Sequence, residues 1–370
     1  MGLKFREMAR PYLTSFFVDD LMLFCKANNS NVRTVMDTLD RFCGVSGLKI
    51  NFSKSKLFIS PNMTRHEINS FTAISGMRVT NDLGIYLGAP IIHGRLKRSQ
   101  FNFVIEKVQR KLVGWKAHSL SFAGRATLVQ TVSSTVPNYN MQTVMIPKSV
   151  CNRLDKINRD FLWGDTIDKK RVHLVKWSKV CRPKKYGGLG IRDCSTNNRA
   201  MIAKVGWNLC SGKKSLWGTI LKEKYNIPTN PKDWKMRKIA SHVWRGVFKT
   251  KNLLHKGIRW NIGNGKNISI WKDWWCGKNS FLDRNIDLSG VNVNETVESL
   301  INVNSCWDLN KISNSIPTVL HSDIINTPLS CELTNEDKPS WLGKGSGKFT
   351  VSSCYNQISK EEGMDCCVGN

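Results

Sequence analysis

The stretch FFVDDLMLF, at residues 16–24, places two adjacent carboxylates inside an otherwise unbroken apolar run. Burying an ionised carboxylate without a partner is costly, and two neighbouring carboxylates also repel each other. The chain therefore has to turn at this point, bind a cation there, or do both. The apolar runs at 16–18 and 21–25 predict two buried strands joined by a tight turn at Asp19 and Asp20.

A rigid acidic turn of this kind favours a divalent-metal site. Mg²⁺ prefers carboxylate oxygens, and its charge removes the repulsion between them while it binds phosphate oxygens. The alternative is a solvated pair of aspartates in a loop that core residues happen to flank. The residue pattern leaves both interpretations open.

The residues that follow predict a small α+β unit. One helical stripe contains Val32, Val35, Met36, Leu39, Phe42 and Cys43, and Gly44 and Gly47 close it. The segment LKINF (48–52) alternates as a strand does, and a Lys-rich turn and the apolar LFIS follow. The predicted order is strand, acidic turn, strand, helix, strand.

Charge divides the 370 residues into three segments. The formal net charge is +28, and residues 61–225 carry +20 of it, with 29 basic and 9 acidic side chains. Such a concentration predicts a surface for a polyanion, and nucleic acid is favoured over a membrane because no run of about 18 apolar residues occurs. The amino-terminal residues lack an apolar signal core, so an intracellular protein is expected.

The twelve cysteines have no regular spacing and predict reduced, mostly buried thiols. No Cys-x-x-Cys occurs, so zinc is not supported.

The middle segment predicts basic amphipathic helices. One apolar stripe runs from Phe101 to Trp115, and a second runs from Val150 to Phe161 between Pro147 and Gly164. KKYGGLGIRD (184–193) predicts a Gly-rich turn before another helix. In the last segment, NISIW and GKFTV predict short strands among loops. Most of the thirteen tryptophans are expected in cores, with base-stacking platforms as the alternative.

Several of these segments resemble one family in the order in which they occur. FFVDDLMLFC is similar to the F/Y-x-D-D hairpin of reverse transcriptases, and the remainder resembles plant non-LTR (LINE-type) retrotransposon enzymes over roughly 340 residues. The matching segments are RFCGVSGLKINFSKSKLFIS, LGIYLGAPIIHGR, the stretch from LVGWKAHSL to MIPKSV, FLWGD, KKYGGLGIRD, RWNIGNGKNISIWKDWW and WLGKGSGKFTVSSCYNQI.

The resemblance implies a fold of three parts. These are a partial reverse-transcriptase palm at residues 1–90, a basic helical thumb and linker at 91–225, and a mixed region at 226–370 that ends at the start of a zinc-binding region. It also implies RNA-directed DNA polymerisation with Mg²⁺, an RNA template and a DNA primer as partners, and a nuclear location.

Carried over to this chain, the resemblance makes Asp19 and Asp20 the metal-binding carboxylates of the palm. Lys54 becomes a candidate proton donor to pyrophosphate, with a solvated turn lysine as the equal alternative. Tyr86 and Gly88, with Leu87 between them, would lie by the primer terminus, or else form only a strand end and a turn. The resemblance also implies contacts with template or primer phosphates for Lys107, Arg110, Lys111, Lys116 and Arg125. The alternative for each of these residues is a charged side chain that only water contacts.

The chain also departs from the family pattern. Val18 stands where the family has Ala, and only eighteen residues precede Asp19, without the further palm aspartate that a two-metal site uses. We therefore expect no polymerase activity from this chain alone. The alternatives are a non-enzymatic nucleic-acid-binding protein and a degenerate retroelement relic.

Overall fold

The computed structural model describes residues 13–17, 20–113, 119–166, 170–284, 292–302, 305–329 and 336–362. Helices and short two-stranded sheets share this part of the chain, which confirms the α+β class expected from the sequence. The chain divides into two units, Met1–Arg95 and Leu96–Asn370.

The first unit begins with an antiparallel hairpin. Strand β1 (Leu13–Phe17) pairs with β2 (Asp20–Phe24), and Phe17 lies opposite Asp20. Asp20 is therefore the first residue of β2, whereas Val18 and Asp19 lie outside the described residues. Leu21 and Phe24 are exposed, so the prediction of a buried second strand is wrong. Within the described residues this sheet has two strands, and β2 has β1 as its one neighbour.

Two helices pack against each other after the hairpin: α1 (Asn29–Ser46) and α2 (Arg65–Ser75). Asn28 caps α1 by accepting a hydrogen bond from the Asn31 N–H group at 2.7 Å. The helix ends at Gly47, whose φ of +72° is left-handed and suits glycine. Val32 and Leu39 of the predicted stripe are buried, as expected for an amphipathic helix.

The remaining strands of the first unit are short. β3 (Lys56–Leu57) runs parallel to β4 (Arg78–Val79), and β5 (Ile85–Tyr86) is antiparallel to β6 (Ala89–Pro90). The strand predicted at LKINF is wrong, because residues 48–52 form no strand. The Asn51 carbonyl instead accepts backbone hydrogen bonds from two of the following residues, and its side chain accepts two more.

The second unit is mainly helical, as predicted for the basic segment. Its longer helices are α3 (Asn102–Leu112), α4 (Phe122–Thr131), α6 (Lys148–Trp163), α8 (Cys194–Cys210), α9 (Leu216–Tyr225), α10 (His242–Lys249) and α14 (Val351–Glu361). Its shorter helices are α5 (Asn138–Met141), α7 (Trp177–Val180), α11 (Lys251–Gly257), α12 (Leu309–Ser315) and α13 (His321–Ile325). Strands β7 (Ile258–Asn261) and β8 (Lys338–Trp341) form one antiparallel pair.

Helix α6 shows why these predictions succeed. Pro147 stands immediately before it, and Gly164 ends it with a φ of +77°. Val150, Leu154 and Leu162 are buried on one side, against α3, α4 and α8. Local caps and a 3.6-residue apolar period therefore specify the same segment.

The main hydrophobic core of the second unit draws on residues from Ala200 to Ile358. The fully buried tryptophans among the described residues are Trp234, Trp244, Trp260, Trp271, Trp275 and Trp341. The expectation that tryptophan serves mainly in cores is confirmed for these six. Six of the nine cysteines in the described ranges are buried, and all nine are free thiols, as expected.

Two predictions for the last segment need correction. NISIW contributes an isolated bridge at Ser269 and not a strand, and GKFTV forms no strand and ends in Val351, the first residue of α14. The Thr350 side chain instead caps α14 through the Ser353 N–H group. The core runs across position 225, whereas the three-part division at 1–90, 91–225 and 226–370 stays a prediction.

Two buried carboxylates hold irregular parts of this core. Asp273 accepts hydrogen bonds from the Asn230 amide at 3.0 Å, the Lys232 ammonium at 2.6 Å and the Ser269 N–H group at 2.7 Å. Asp337 accepts three backbone N–H groups from the loop at 263–267, at 2.9 to 3.1 Å. Charge-assisted bonds of this kind replace the water that each carboxylate loses on burial.

Candidate functional site

The acidic hairpin presents one described carboxylate. Asp20 is exposed at the start of β2, opposite Phe17, and forms no ion pair within the described residues. Asp19 lies outside the described residues. An exposed, unpaired carboxylate fits an oxygen ligand of a hard cation such as Mg²⁺. The metal site that the sequence predicts at Asp19 and Asp20 stays a prediction.

Lys54 lies in the turn that Asn51 organises. Its N–H group donates to the Asn51 carbonyl oxygen and to the Asn51 Oδ1 atom, both at 3.1 Å, and its side chain is exposed. The backbone of Lys54 is thus fixed while its ammonium group is available to solvent. This geometry suits a phosphate contact and a solvated lysine equally, so its catalytic role stays a prediction.

Tyr86, Leu87 and Gly88 form the tip of the β5–β6 hairpin. Leu87 has a φ of +49° and Gly88 a φ of +78°, which are the signs that a two-residue type I′ turn requires. Glycine adopts such angles freely, whereas leucine does so at a cost in free energy. The strand end and turn offered as one interpretation of these residues are present, and their place near a primer stays a prediction.

Helix α3 carries the densest group of predicted phosphate-binding residues. Val104, Val108 and Leu112 are buried on one side of α3. Lys107, Arg110 and Lys111, which we name together the cationic face, are exposed on the same helix. None of the three forms an ion pair within 4.0 Å in the part of the chain that the structure describes.

The other two predicted phosphate-binding residues differ from the cationic face. Lys116 lies outside the described residues. Arg125, in α4, is half-buried, and its Nε–H group donates to the Leu162 carbonyl oxygen at 3.0 Å. Its guanidinium also fills the space beside Gly164, where a Cβ atom would lie 3.0 Å from Nη1. Arg125 thus stabilises the end of α6, and its contact with nucleic acid stays a prediction.

A polar pocket of about 300 Å³ lies in the second unit, and the sequence did not predict it. The wall combines residues of α3, α4, α5, α6 and α8 with the segment 133–137 and the turn at Gly190. The polar side chains that line it are Gln130, Ser133, Ser134, Thr135, Asn138, Asp155, Asn158, Arg192 and Asn197.

Hydrogen bonds connect much of the pocket wall. The Arg192 guanidinium donates to Asn197 Oδ1 at 3.2 Å, and Asn197 Nδ2 donates to Asn138 Oδ1 at 3.1 Å. On the other side, the Ser133 hydroxyl donates to Asn158 Oδ1. The side chains are therefore held in place before any ligand arrives.

Asp155 is the buried acid of the pocket. Burial, and then the neighbouring Asp193 carboxylate, raise the pKa of its carboxyl group to about 8. The Cys194 N–H group, which donates to both carboxyl oxygens at 3.2 and 3.3 Å, acts in the opposite direction. At neutral pH the group is therefore mostly protonated and uncharged.

One further cluster contains groups that bind metals elsewhere. Ligand atoms of Asp160, Asp165 and His173 lie within 4.8 Å of one another. The Asp165 carboxylate already accepts the Arg171 N–H group at 3.0 Å and lies 3.6 Å from the Lys170 ammonium. These contacts close the loop after α6, and nearby cations disfavour a metal ion there.

Within the described ranges, no helix has both the length and the apolar character to cross a membrane.

Comparison with known proteins gives two plant relatives. One, named a putative ribonuclease H protein of Arabidopsis thaliana, is 35% identical over 277 residues, which cover 74% of this chain and 45% of that protein. The other, named an uncharacterized mitochondrial protein of Arabidopsis thaliana, is 28% identical over 141 residues, 38% of this chain and 92% of that protein. The chain thus spans less than half of the first relative, and no protein-family model matches it.

Proposed function

We propose that this chain is a retroelement-derived protein whose second unit binds the phosphate backbone of nucleic acid without reading its sequence. The observation that carries the proposal is the cationic face of α3, three exposed and unpaired cations in the segment that holds +20 of the net charge. Phosphate contacts of this kind fix position and supply most of the affinity of non-specific binding.

The like charges on α3 repel one another unless an anion is bound. Lys107 lies three residues from Arg110 and four from Lys111, so their side chains are neighbours on the helix surface. Each such like-charge pair destabilises a helix by roughly 0.2–0.5 kcal/mol. A phosphate backbone along this face would remove the repulsion and release counterions.

The comparisons support the proposal in a general way. One relative is named a putative ribonuclease H protein, which is a nucleic-acid enzyme by name, and both come from a plant. The finer proposal, from the sequence resemblance, is that the chain derives from the reverse transcriptase of a non-LTR retrotransposon. The nuclear location stays a prediction that neither relative's name supports.

Binding to a fluorescent 20-nucleotide single strand tests the proposal. The full chain should bind at about 50 mM salt, and the variant K107Q/R110Q/K111Q should bind about tenfold or more weakly, since three phosphate contacts are lost. The matched control is K235Q/R237Q/K238Q, which removes the same charge from three other exposed positions. Equal weakening by both variants, or no binding by the unmodified chain, would contradict the proposal.

A second proposal concerns the β1–β2 hairpin. Asp20 is exposed at the start of β2, and Asp19 precedes it in the sequence, so two adjacent carboxylates favour a shared cation site. A bound Mg²⁺ would neutralise the two carboxylates and bind phosphate oxygens. Mn²⁺ serves as a paramagnetic probe, and water-proton relaxation should report binding that D19N and D20N each weaken at least tenfold. D37N, which alters an exposed carboxylate of α1, should leave binding unchanged.

The Mn²⁺ result is separate from activity. If D19N, D20N and D37N all bind Mn²⁺ as the unmodified chain does, the cation site is wrong. Mg²⁺-dependent primer extension on an RNA template, abolished by D19A, would contradict our expectation that the chain alone does not polymerise.

A further inference from the structure

The polar pocket between α3, α4, α5, α6 and α8 combines apolar walls with fixed hydrogen-bonding groups. Val108, Met141 and Leu154 supply buried apolar surface, each about 1% exposed. Ligand pockets generally pair apolar walls of this kind with a few placed polar groups. A volume of about 300 Å³ is at the small end of the usual range, and excludes a helix or a folded segment.

Carboxamides dominate the polar part of the pocket. Asn138, Asn158 and Asn197 each bring an acceptor and a donor side by side, which is the pattern that pairs with the edge of a nucleobase. Asn138 Oδ1 accepts one hydrogen bond from Asn197, and a carbonyl oxygen has a second lone pair. Within the described ranges, the Asn138 Nδ2 group donates to no protein acceptor. Asn138 therefore offers both a donor and an acceptor to a ligand.

Ser134, in the pocket wall, also has a polar group without a hydrogen-bond partner in the protein. The Ser134 hydroxyl oxygen is shielded from solvent and forms no hydrogen bond. Buried polar groups without partners are rare in folded proteins, and each one calls for an explanation. A hydroxyl group rotates freely enough to bond a ligand in the adjacent pocket.

The charge of the pocket selects among ligands. Arg192 is its one cation among the lining residues, and its guanidinium already donates to Asn197. Asp155 is mostly uncharged at neutral pH because burial and Asp193 raise the pKa of its carboxyl group. A nearly neutral, hydrogen-bonding interior suits an uncharged planar group better than a phosphate or a metal ion.

The position of the pocket relates it to the cationic face. Val108 of α3 lines the pocket, and Lys111 lies three residues further along the same helix. Residues three apart are neighbours on a helix surface, so Lys111 lies beside the pocket-lining side of α3. A strand whose phosphates contact α3 would therefore pass close to the pocket.

From these contacts we infer that the pocket accepts one unpaired base of a bound single strand, held by the Asn138 carboxamide and the Ser134 hydroxyl between apolar walls. This inference rests on the proposed nucleic-acid binding and deepens it. Proteins that recognise single strands commonly take a splayed-out base by its hydrogen-bonding edge.

Two probes of equal charge test the inference: a 12-nucleotide adenine strand and a 12-unit abasic strand. The full chain should bind the adenine strand at least tenfold more tightly. Adenosine, which is uncharged, should abolish this preference without displacing the abasic strand. If neither strand binds, the proposed function fails. If both bind equally, or adenosine has no effect, the pocket inference alone is overturned.

Substitutions then localise the effect to the pocket. N138L replaces the carboxamide by an apolar group of similar size and should remove the preference for the adenine strand while abasic binding is unchanged. Q142L makes the same kind of change at an exposed residue next to α5 and should keep the preference. S134A removes a hydroxyl without an internal partner, so it should fold normally and lower adenine-strand affinity about two- to tenfold. Full preference in both N138L and S134A would overturn the inference.

Discussion

Replacing Asp155 by asparagine should change how stability depends on pH. Burial and the Asp193 carboxylate raise the pKa of Asp155 from 3.8 to about 8. The folded state therefore keeps a proton that the unfolded chain releases near pH 4. This group stabilises the fold fully below pH 3.8, and the contribution is lost as the pH rises through 8.

Between pH 5 and pH 7 the folded state binds one more proton at Asp155 than the unfolded state does. Its contribution to the free energy of unfolding thus falls by about 1.4 kcal/mol per pH unit, or ~3 kcal/mol across this window. Asparagine has no such titration, and its oxygen can still accept the Cys194 N–H group. D155N should therefore gain ~3 kcal/mol relative to the unmodified chain between pH 5 and pH 7.

Urea unfolding followed by tryptophan fluorescence at pH 5, 6 and 7 measures this difference. Subtracting the free energy of the unmodified chain from that of D155N at each pH cancels the titration of the other groups. A difference that stays constant from pH 5 to pH 7 would refute the reasoning, because Asp155 would then be ionised in the folded state as in the unfolded one.

Three other predictions concern stability and use the same urea measurement. D273A leaves the Lys232 ammonium without its buried partner and should cost ~3–5 kcal/mol; a loss under 1 kcal/mol would show that the ion pair is dispensable. D337A leaves three N–H groups of the 263–267 loop unpaired and should cost ~3 kcal/mol, an account that unchanged stability would contradict. G44A should stabilise α1 by about 0.5–1 kcal/mol because nothing lies within 4 Å of the added Cβ atom. G188A should destabilise the protein by ~1–3 kcal/mol or more, because its Cβ atom would lie 2.0 Å from the Arg182 carbonyl oxygen. Equal effects of the two glycine substitutions would contradict this reasoning.

Much of the helical structure was predictable because its signals are local. Pro147 and Gly164 bracket α6, and Gly47 ends α1, as caps and apolar periods indicated. The prediction of a strand at LKINF was wrong because the Asn51 side chain accepts a backbone hydrogen bond and stabilises a turn. An alternating apolar pattern carries no information about such side-chain hydrogen bonds. The prediction of a strand at GKFTV was wrong because Thr350 caps the helix that begins at Val351.

The pocket was harder to predict, since its residues come from five helices spread over about ninety residues of the chain. One signal was nevertheless present in α6. Asn158 lies four residues after Leu154 and four before Leu162, so a polar residue occupies the buried stripe of that helix. Such a residue needs a buried partner, which Ser133 supplies. That the partner is Ser133, and that a cavity lies beside it, follows only from the packing.

The salt dependence of binding tests the central claim most directly. For a single strand, the logarithm of the affinity falls against the logarithm of the salt concentration with a slope of about −0.7 for each phosphate contact. If the cationic face makes three such contacts, the slope for K107Q/R110Q/K111Q should be shallower by about 2 than that of the unmodified chain. K235Q/R237Q/K238Q should keep the original slope. Equal slopes for the unmodified chain and K107Q/R110Q/K111Q would contradict the claim that α3 binds the nucleic-acid backbone.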